Sequence, residues 1–270
     1  MSKEYTLSMP VVDNFRVKYY FSNEPNVFSA RVFPPHVHDE LEIYILLEGD
    51  ASFMVDNNLY KLAPGDVVIS RPNEMHNCIL NTTSVHKHLC FWCDTACEYV
   101  FSKFTESNDC PTVISPRKAE ADLLLSLYEQ LEDASKTDDQ IRQFYLQLQI
   151  LDIISKNASH EESPSALPVI LKNILDDVDR SFAEIGNLEF FTNKYSISQS
   201  TLNRLFKQHL KTTPKIYLET KRLAHSRMLL KRGKSVFEAC MQSGFSDYSN
   251  YIRLFRKRFG ITPKQYRNAK

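Results

Sequence analysis

Two hydrophobic periods divide the chain. Up to about residue 115 apolar and polar positions alternate in short runs, and beyond it apolar residues recur every three to four positions. Phe15, Val17, Tyr19 and Phe21 alternate with polar neighbours, which is strand patterning. Between Phe28 and Val85 the runs FSARVF, LEIYILLEG, ASFMVD, LYKL, DVVISR and HNCIL follow one another, punctuated by Pro34-Pro35, Gly49-Asp50, Asn57-Asn58 and Pro64-Gly65. Many short strands at such spacing predict a β-sandwich or barrel. Leu89, Phe91 and Trp92 mark a last buried strand, in which alternation puts Cys90 on the face opposite Phe91. From Pro116 the period changes. Ala119, Leu123, Leu124, Leu127, Tyr128 and Leu131 predict one amphipathic helix, and Ile141, Phe144, Tyr145, Leu148, Leu151 and Ile154 a second. Such helices would either cover the open side of the barrel or pack against a second subunit. The stretch 157–168, NASHEESPSALP, is small and polar and reads as a domain boundary.

After Pro168 the helical period continues to the end. In Ser235–Pro263, Ser235 and Glu238 have capping-box spacing, Gly244 suits a left-handed helix exit, and Ser246 or Asp247 caps a second helix. Tyr251, Leu254, Phe255 and Phe259 fall on the inward face of that helix. Tyr248, Ser249, Asn250, Arg253, Arg256 and Lys257 fall on the other, where hydrogen-bonding and cationic groups suit the DNA major groove. Alone, this is equally a helical hairpin with a solvated basic face. The chain, however, repeats itself. RLFKQHLKTTPKIY (204–217) and RLFRKRFGITPKQY (253–266) agree at seven of fourteen positions, 49 residues apart. A first helix-turn-helix unit follows: a positioning helix from Leu188 to Lys194 and a reading helix capped by Ser198. Leu202, Leu205, Phe206 and Leu210 point inward there; Ser200, Thr201, Asn203, Arg204 and Lys207 point outward. Thr213-Pro214 and Thr262-Pro263 each offer an N-cap and a helix-starting proline. The helix from Pro214 to Arg232 would be a strut that fixes the separation of the two units.

Charge sharpens this division. The formal net charge is zero, yet residues 1–165 carry 13 Lys+Arg against 25 Asp+Glu, and residues 166–270 carry 20 against 8. A +12 C-terminal third favours a polyanionic partner. MSKEYTLSMP contains no signal-like apolar run, no segment reaches membrane-span length, and six cysteines in 270 residues are no disulfide framework, so reduced thiols in a cytoplasm are expected. His86, His88, Cys90, Cys93 and Cys97 lack standard zinc spacing and are read as core or surface groups.

Within the strand-rich part, His36, His38, Glu42 and Gly49 have the spacing of the first cupin motif, which this region resembles, and His76 lies in a weaker second motif where Arg71 and Asn73 replace the family's proline and glycine. The resemblance implies a barrel whose ligand set would be His36, His38, Glu42 and His76. Three imidazoles and a carboxylate suit iron, manganese, nickel or zinc. Sensory cupins of this pattern also occur without metal, so no resident cofactor is expected, and the same residues are read as lining an effector pocket.

The last hundred residues resemble the DNA-binding domain of the AraC/XylS family of transcription regulators. The residues that carry it are Arg222, Leu223, Ala224, Gly244-Phe245, Tyr251, Arg253, Phe255, Phe259-Gly260, Thr262-Pro263 and Tyr266-Arg267; Thr192, Ser196 and Lys211 depart from its pattern. The resemblance implies an α+β chain of two domains. A cupin-like effector-binding β-barrel (1–115) is followed by a helical linker or dimerisation segment (116–157), and an all-α double helix-turn-helix domain (166–270) completes it. It implies base reading by Ser200, Asn203 and Arg204 in the first unit and by Tyr248, Ser249, Asn250, Ile252 and Arg253 in the second. Lys207, Arg256, Lys257 and Lys264 are assigned to phosphate. The expected protein is not an enzyme but an effector-controlled regulator, an activator and homodimer in the cytoplasm. Its partners would be double-stranded DNA, RNA polymerase and a small molecule, with no membrane. Arg31, His36, His38, Glu42, Tyr44 and His76 are the candidate effector contacts, suited to a sugar or sugar derivative. Two other readings stand beside it: a metal-dependent cupin enzyme with a DNA-binding adaptor, and a thiol or metal sensor using Cys90, Cys93 and Cys97.

Overall fold

The computed structural model describes residues 3–8, 16–22, 35–82, 85–93, 104–105, 110–157, 164–165 and 167–269. The run FSARVF, Arg31, Cys97 and most of the 157–168 stretch therefore lie outside the described residues. The chain divides into two compact units, one of Met1–Phe33 with His38–Ser165, the other of Pro34–Val37 with Ala166–Lys270.

Among the described residues the first unit has nine strands: β1 (Lys3–Ser8), β2 (Arg16–Ser22), β3 (Leu41–Glu48), β4 (Ala51–Val55), β5 (Asn58–Leu62), β6 (Val67–Ser70), β7 (His76–Leu80), β8 (Lys87–Cys93) and β9 (Val113–Ile114). They form a six-stranded sheet, β1-β2-β8-β3-β6-β9, and a three-stranded sheet, β5-β4-β7. All named pairings are antiparallel. The strand β3, LEIYILLE, is buried at every position but the last, so it is covered on both faces. Its even-numbered Tyr44 and Leu46 join Val68, Phe53, Val55, Tyr60 and Leu62 in a core between the two sheets. Its odd-numbered Leu41, Ile43, Ile45 and Leu47 join Phe91, Cys93 and the apolar faces of two helices.

Those helices are α1 (Lys118–Lys136) and α2 (Gln140–Lys156), joined by only three residues. Leu124, Leu127, Tyr128 and Leu131 of α1 and Leu146, Ile150, Leu151 and Ile154 of α2 pack onto the six-stranded sheet. One face of the helical pair therefore covers the sheet. On the other, Leu123, Ile141, Tyr145 and Leu148 are exposed.

The second unit is helical: α3 (Val169–Ser181), α4 (Glu189–Tyr195), α5 (Gln199–Leu210), α6 (Pro214–Lys231), α7 (Val236–Gln242), α8 (Tyr248–Phe259) and α9 (Pro263–Asn268). Its helix starts are written locally. Ser198, Thr213, Ser235, Asp247 and Thr262 each accept a hydrogen bond from the backbone N–H three residues on, and capping boxes close at Ser235/Glu238 and Thr262/Gln265. Pro214 and Pro263 occupy first-turn positions, where no N–H is needed. The sequence repeat is a repeat of contacts. Phe206 meets Tyr217 edge to face at 5.6 Å, and Phe255 meets Tyr266 edge to face at 5.8 Å. Gly244, with φ 81°, lies so close to Ala183 that a Cβ would come within 2.5 Å of its carbonyl oxygen. Arg222, which donates to the carbonyls of Phe182 and Ile185, pins the same loop. Pro34–Val37 belongs to this unit because Arg258 donates to the Pro35 carbonyl and Arg227 to that of Val37 at 3.3 Å.

Candidate nucleic-acid interface and candidate effector site

Each helix-turn-helix unit joins a short positioning helix to a longer reading helix, α4 to α5 and α7 to α8. In α5 the apolar Leu202, Phe206 and Leu210 are buried and Leu205 is half-buried. The opposite face presents Ser200, Asn203, Arg204 and Lys207 to solvent. Thr201 is half-buried, and its hydroxyl lies 3.0 Å from that of the cap Ser198, which also lies 2.7 Å from Ser200 Oγ. In α8, Tyr251 and Phe255 are buried in a cluster with Leu223, Leu230, Ala239, Cys240 and Phe245, and Leu254 and Phe259 pack against it. Tyr248, Ser249, Arg253, Arg256 and Lys257 are exposed, whereas Asn250 is half-buried. Ile252 is also half-buried and packs against the core cluster, a tie to the core that the spacing of the sequence did not disclose. Asn250 and Arg253 are themselves joined, Arg253 Nη2 donating to Asn250 Oδ1 at 2.6 Å.

The departures from the family pattern keep the geometry. Ser196 ends α4 at φ 50°, and Lys211 ends α5 at φ 50°. Both adopt the left-handed conformation that glycine takes at no steric cost. The first unit is thus built like the second, with strain in place of glycine.

In the first unit of the fold a polar cluster gathers at one end of β3 and β7. Asn73, at φ 69° in the turn before β7, donates its N–H to the His38 carbonyl at 3.0 Å and so draws the entrance of β3 to that of β7. Asparagine tolerates this conformation, which accounts for its presence where the cupin motif has glycine. Arg71 is structural: its backbone N–H donates to Glu74 Oε2 at 2.7 Å, and its guanidinium donates to the Cys110 carbonyl. His38 Nδ1 lies 2.9 Å from the Glu40 carbonyl and His76 Nδ1 lies 3.0 Å from the Glu74 carbonyl. A carbonyl only accepts, so both rings carry a proton on Nδ1, and Nε2 of each faces the Glu42 carboxylate, at 3.0 Å from His38 and 3.6 Å from His76. Trp92 Nε1 also donates to that carboxylate, at 2.7 Å. Burial would raise the Glu42 carboxyl, but the charge of His76 and hydrogen bonds from His38 and His76 outweigh it and hold it well below its ordinary value. Burial would lower the His76 imidazole, and the Glu42 carboxylate raises it instead. One ligand atom from each of His38, Glu42 and His76 lies within 4.8 Å of the others. His36, half-buried, falls in the segment grouped with the second unit, and Arg31 lies outside the described residues.

Tyr44 extends the cluster inward. Its hydroxyl is 3.0 Å from His86 Nε2 and 3.6 Å from Cys78 Sγ, and its ring stacks on that of His88 at 4.9 Å. Burial pushes His86 down to about 4 and His88 down to about 3, so both imidazoles are neutral at neutral pH. The sequence reading set these two histidines aside with the cysteines. Parity contained the missing signal: β8 pairs Glu42 with Trp92, Tyr44 with Cys90 and Leu46 with His88, which places His88 on the inward face. Cys90 faces inward as well, whereas Cys93 lies with the helix-covered core. Burial raises both thiols, which suits inert core cysteines rather than a redox pair.

Comparison with known proteins agrees with both halves. The AraC-like ligand binding domain family matches residues 27–148, and the helix-turn-helix domain family matches residues 191–269. The HTH-type transcriptional activator RhaS of Escherichia fergusonii is 26% identical over 257 residues, covering 88% of each chain. That of an Enterobacter species is 25% identical over 280 residues, covering 92% of this chain and 91% of its own. Among solved structures, ToxT from Vibrio cholerae O395 is similar at 12% identity over 95% of this chain and 98% of its own, with a TM-score of 0.38. Among the described residues no helix is long and apolar enough to cross a membrane. With a ligand-binding β unit ahead of a duplicated, basic helix-turn-helix unit, this chain is a member of the AraC/XylS family of DNA-binding transcription regulators.

Proposed function

We propose that this protein is a cytoplasmic transcription activator that reads its operator with α5 and α8 and answers to a polyhydroxylated effector, a sugar or sugar derivative. The observation that carries the DNA reading is the duplicated reading helix: two capped, basic faces on one helical unit, with exposed Asn203 and Arg204 on α5 and exposed Arg253 beside half-buried Asn250 on α8. Arginine pairs with guanine and asparagine with adenine, each worth about 1–3 kcal/mol of discrimination. The relatives named as transcriptional activators support activation, and hence contact with RNA polymerase. The test is binding of the full-length protein to operator and to random duplex. Asn203→Ala and Arg204→Ala should each weaken operator binding far more than binding to random DNA, and equal weakening on both would exclude base reading.

The effector reading rests on the polar groups turned to the interior of the β unit. Glu42 accepts, the neutral His86 and His88 each offer one donor and one acceptor, and Tyr44 adds a hydroxyl; such groups match the hydroxyls of a sugar. Identical operator affinity with every sugar and sugar acid tested would refute it. Homodimerisation is supported by the exposed apolar face of Ile141, Tyr145 and Leu148, which recur at i, i+4 and i+7 on α2.

A second reading is favoured by one observation. His38 and His76 each have Nδ1 oriented by a carbonyl and Nε2 aimed at Glu42, the arrangement that presents two imidazole nitrogens and a carboxylate to one ion. These residues fit a divalent transition metal, which would supply Lewis acidity or serve as the effector itself. Metal analysis of the purified protein separates the readings: stoichiometric metal lost in His76→Ala supports this one, and metal-free protein that still answers to an effector removes it.

A further inference from the structure

One side-chain pair of α8 has no counterpart in α5. In α8 the Asp247 carboxylate accepts from the Asn250 backbone N–H at 2.9 Å, which fixes Asn250 in the first turn. The Asn250 amide oxygen in turn accepts from Arg253 Nη2 at 2.6 Å, one turn further along the same face. At the equivalent places of α5 stand Thr201 and Arg204. The Thr201 hydroxyl is turned to the cap Ser198 at 3.0 Å and does not brace the arginine.

We propose that Asn250 is a positioning residue for Arg253 rather than an independent reader of adenine. An asparagine that reads adenine turns its oxygen to the base's amino group and its NH2 to N7. Here the oxygen is engaged by the guanidinium. A long arginine loses rotamer freedom on binding, and a brace already present in the free protein removes part of that cost. The brace also holds the guanidinium plane, and guanine recognition through O6 and N7 requires that plane to face the base edge. Asn250 and Arg253 therefore act as one reader of one base pair, whereas Arg204 in α5 reads without this support. The second unit should accordingly show the sharper guanine preference of the two.

This rests on base reading by α8, and the experiment separates the two claims. The full chain is used to select duplexes from a randomised pool, and relative affinities are then measured by competition. Arg253→Ala identifies the base pair that Arg253 reads by abolishing a preference there. Asn250→Ala should reduce the preference at that same base pair by about tenfold, and the double variant should lose no more than Arg253→Ala alone. Asn250→Asp, which keeps an acceptor oxygen, should retain the preference while lowering affinity for all sequences. If Asn250→Ala leaves that base pair untouched and relaxes another, Asn250 is an independent reader and the brace is refuted although α8 still reads bases. If Arg253→Ala weakens every sequence equally, base reading by Arg253 fails and the brace with it. Unchanged thermal melting of each variant confirms that the comparison concerns DNA reading.

Discussion

Lys211 and Gly260, 49 residues apart, close the two reading helices in the same left-handed conformation, with φ of 50° and 76°. A Cβ added at Gly260 meets nothing within 4 Å, so the difference between the two sites lies in the backbone itself. For an L-residue with a side chain this conformation costs about 1–2 kcal/mol, offset in part by the smaller entropy of its unfolded chain. Lys211→Gly is therefore expected to stabilise the helical unit by about 0.5–1 kcal/mol, and Gly260→Ala to destabilise it by a similar amount. Urea unfolding followed by helical circular dichroism gives both as shifts of the midpoint.

Lys257 lies one turn beyond Arg253, exposed, in the last turn of α8. We propose that Lys257 contacts phosphate, which positions the helix and carries no base information. Lys257→Ala should lower affinity for operator and random duplex alike, and should reduce the slope of log K against log salt by about one unit. Binding titrations between low and moderate salt measure it, and loss confined to the operator would assign Lys257 to bases instead.

The interior histidines predict the response of the β unit to acid. His86 and His88 are held down to about 4 and about 3 by burial, against about 6.5 when unfolded. Between those values the unfolded chain binds more protons than the folded one, so stability falls as pH falls. The loss begins near pH 6.5, runs at up to about 1.4 kcal/mol per pH unit for each histidine, and ends once the folded rings are protonated as well. Unfolding midpoints between pH 7 and pH 4.5 should show this slope, and His86→Gln should reduce it by about half.

The outer face of α2 predicts the oligomeric state. Ile141 is 86% exposed and Tyr145 60% exposed in a single chain, an apolar stripe that water contacts without a partner. On the proposed homodimer, Tyr145→Glu should shift the protein from dimer to monomer in analytical ultracentrifugation while leaving the fold of the β unit intact, because Tyr145 is not part of the sheet-covering core, and wild-type protein that sediments as a monomer would refute pairing through this face.

Much of the second unit was legible in the residues. Ser198, Ser235 and Thr262 cap where the sequence places caps, because a cap needs only a side-chain oxygen and a backbone N–H three residues apart. The repeat over 204–217 and 253–266 returns as two edge-to-face pairs of nearly equal geometry. The β unit was less legible. The candidate contacts His38, Glu42, Tyr44 and His76 are drawn together by a backbone bond from Asn73 to His38 and by the register of β3 on β8, and neither is a local property. The same register adds His86 and His88, which spacing alone left among core or surface groups.

The sequence by itself determined the two periods, the helix ends, the duplicated reading helix and the segregation of charge, since each depends on residues within a turn or two of one another or on simple counts. Only the tertiary structure decided which residues of β8 share the interior with Tyr44, that β3 is covered on both faces, that Ile252 leans on the core, and that Arg227 and Arg258 hold the carbonyls of Val37 and Pro35. These are pairings across long stretches of chain, where strand register and side-chain direction, rather than composition, choose the neighbour.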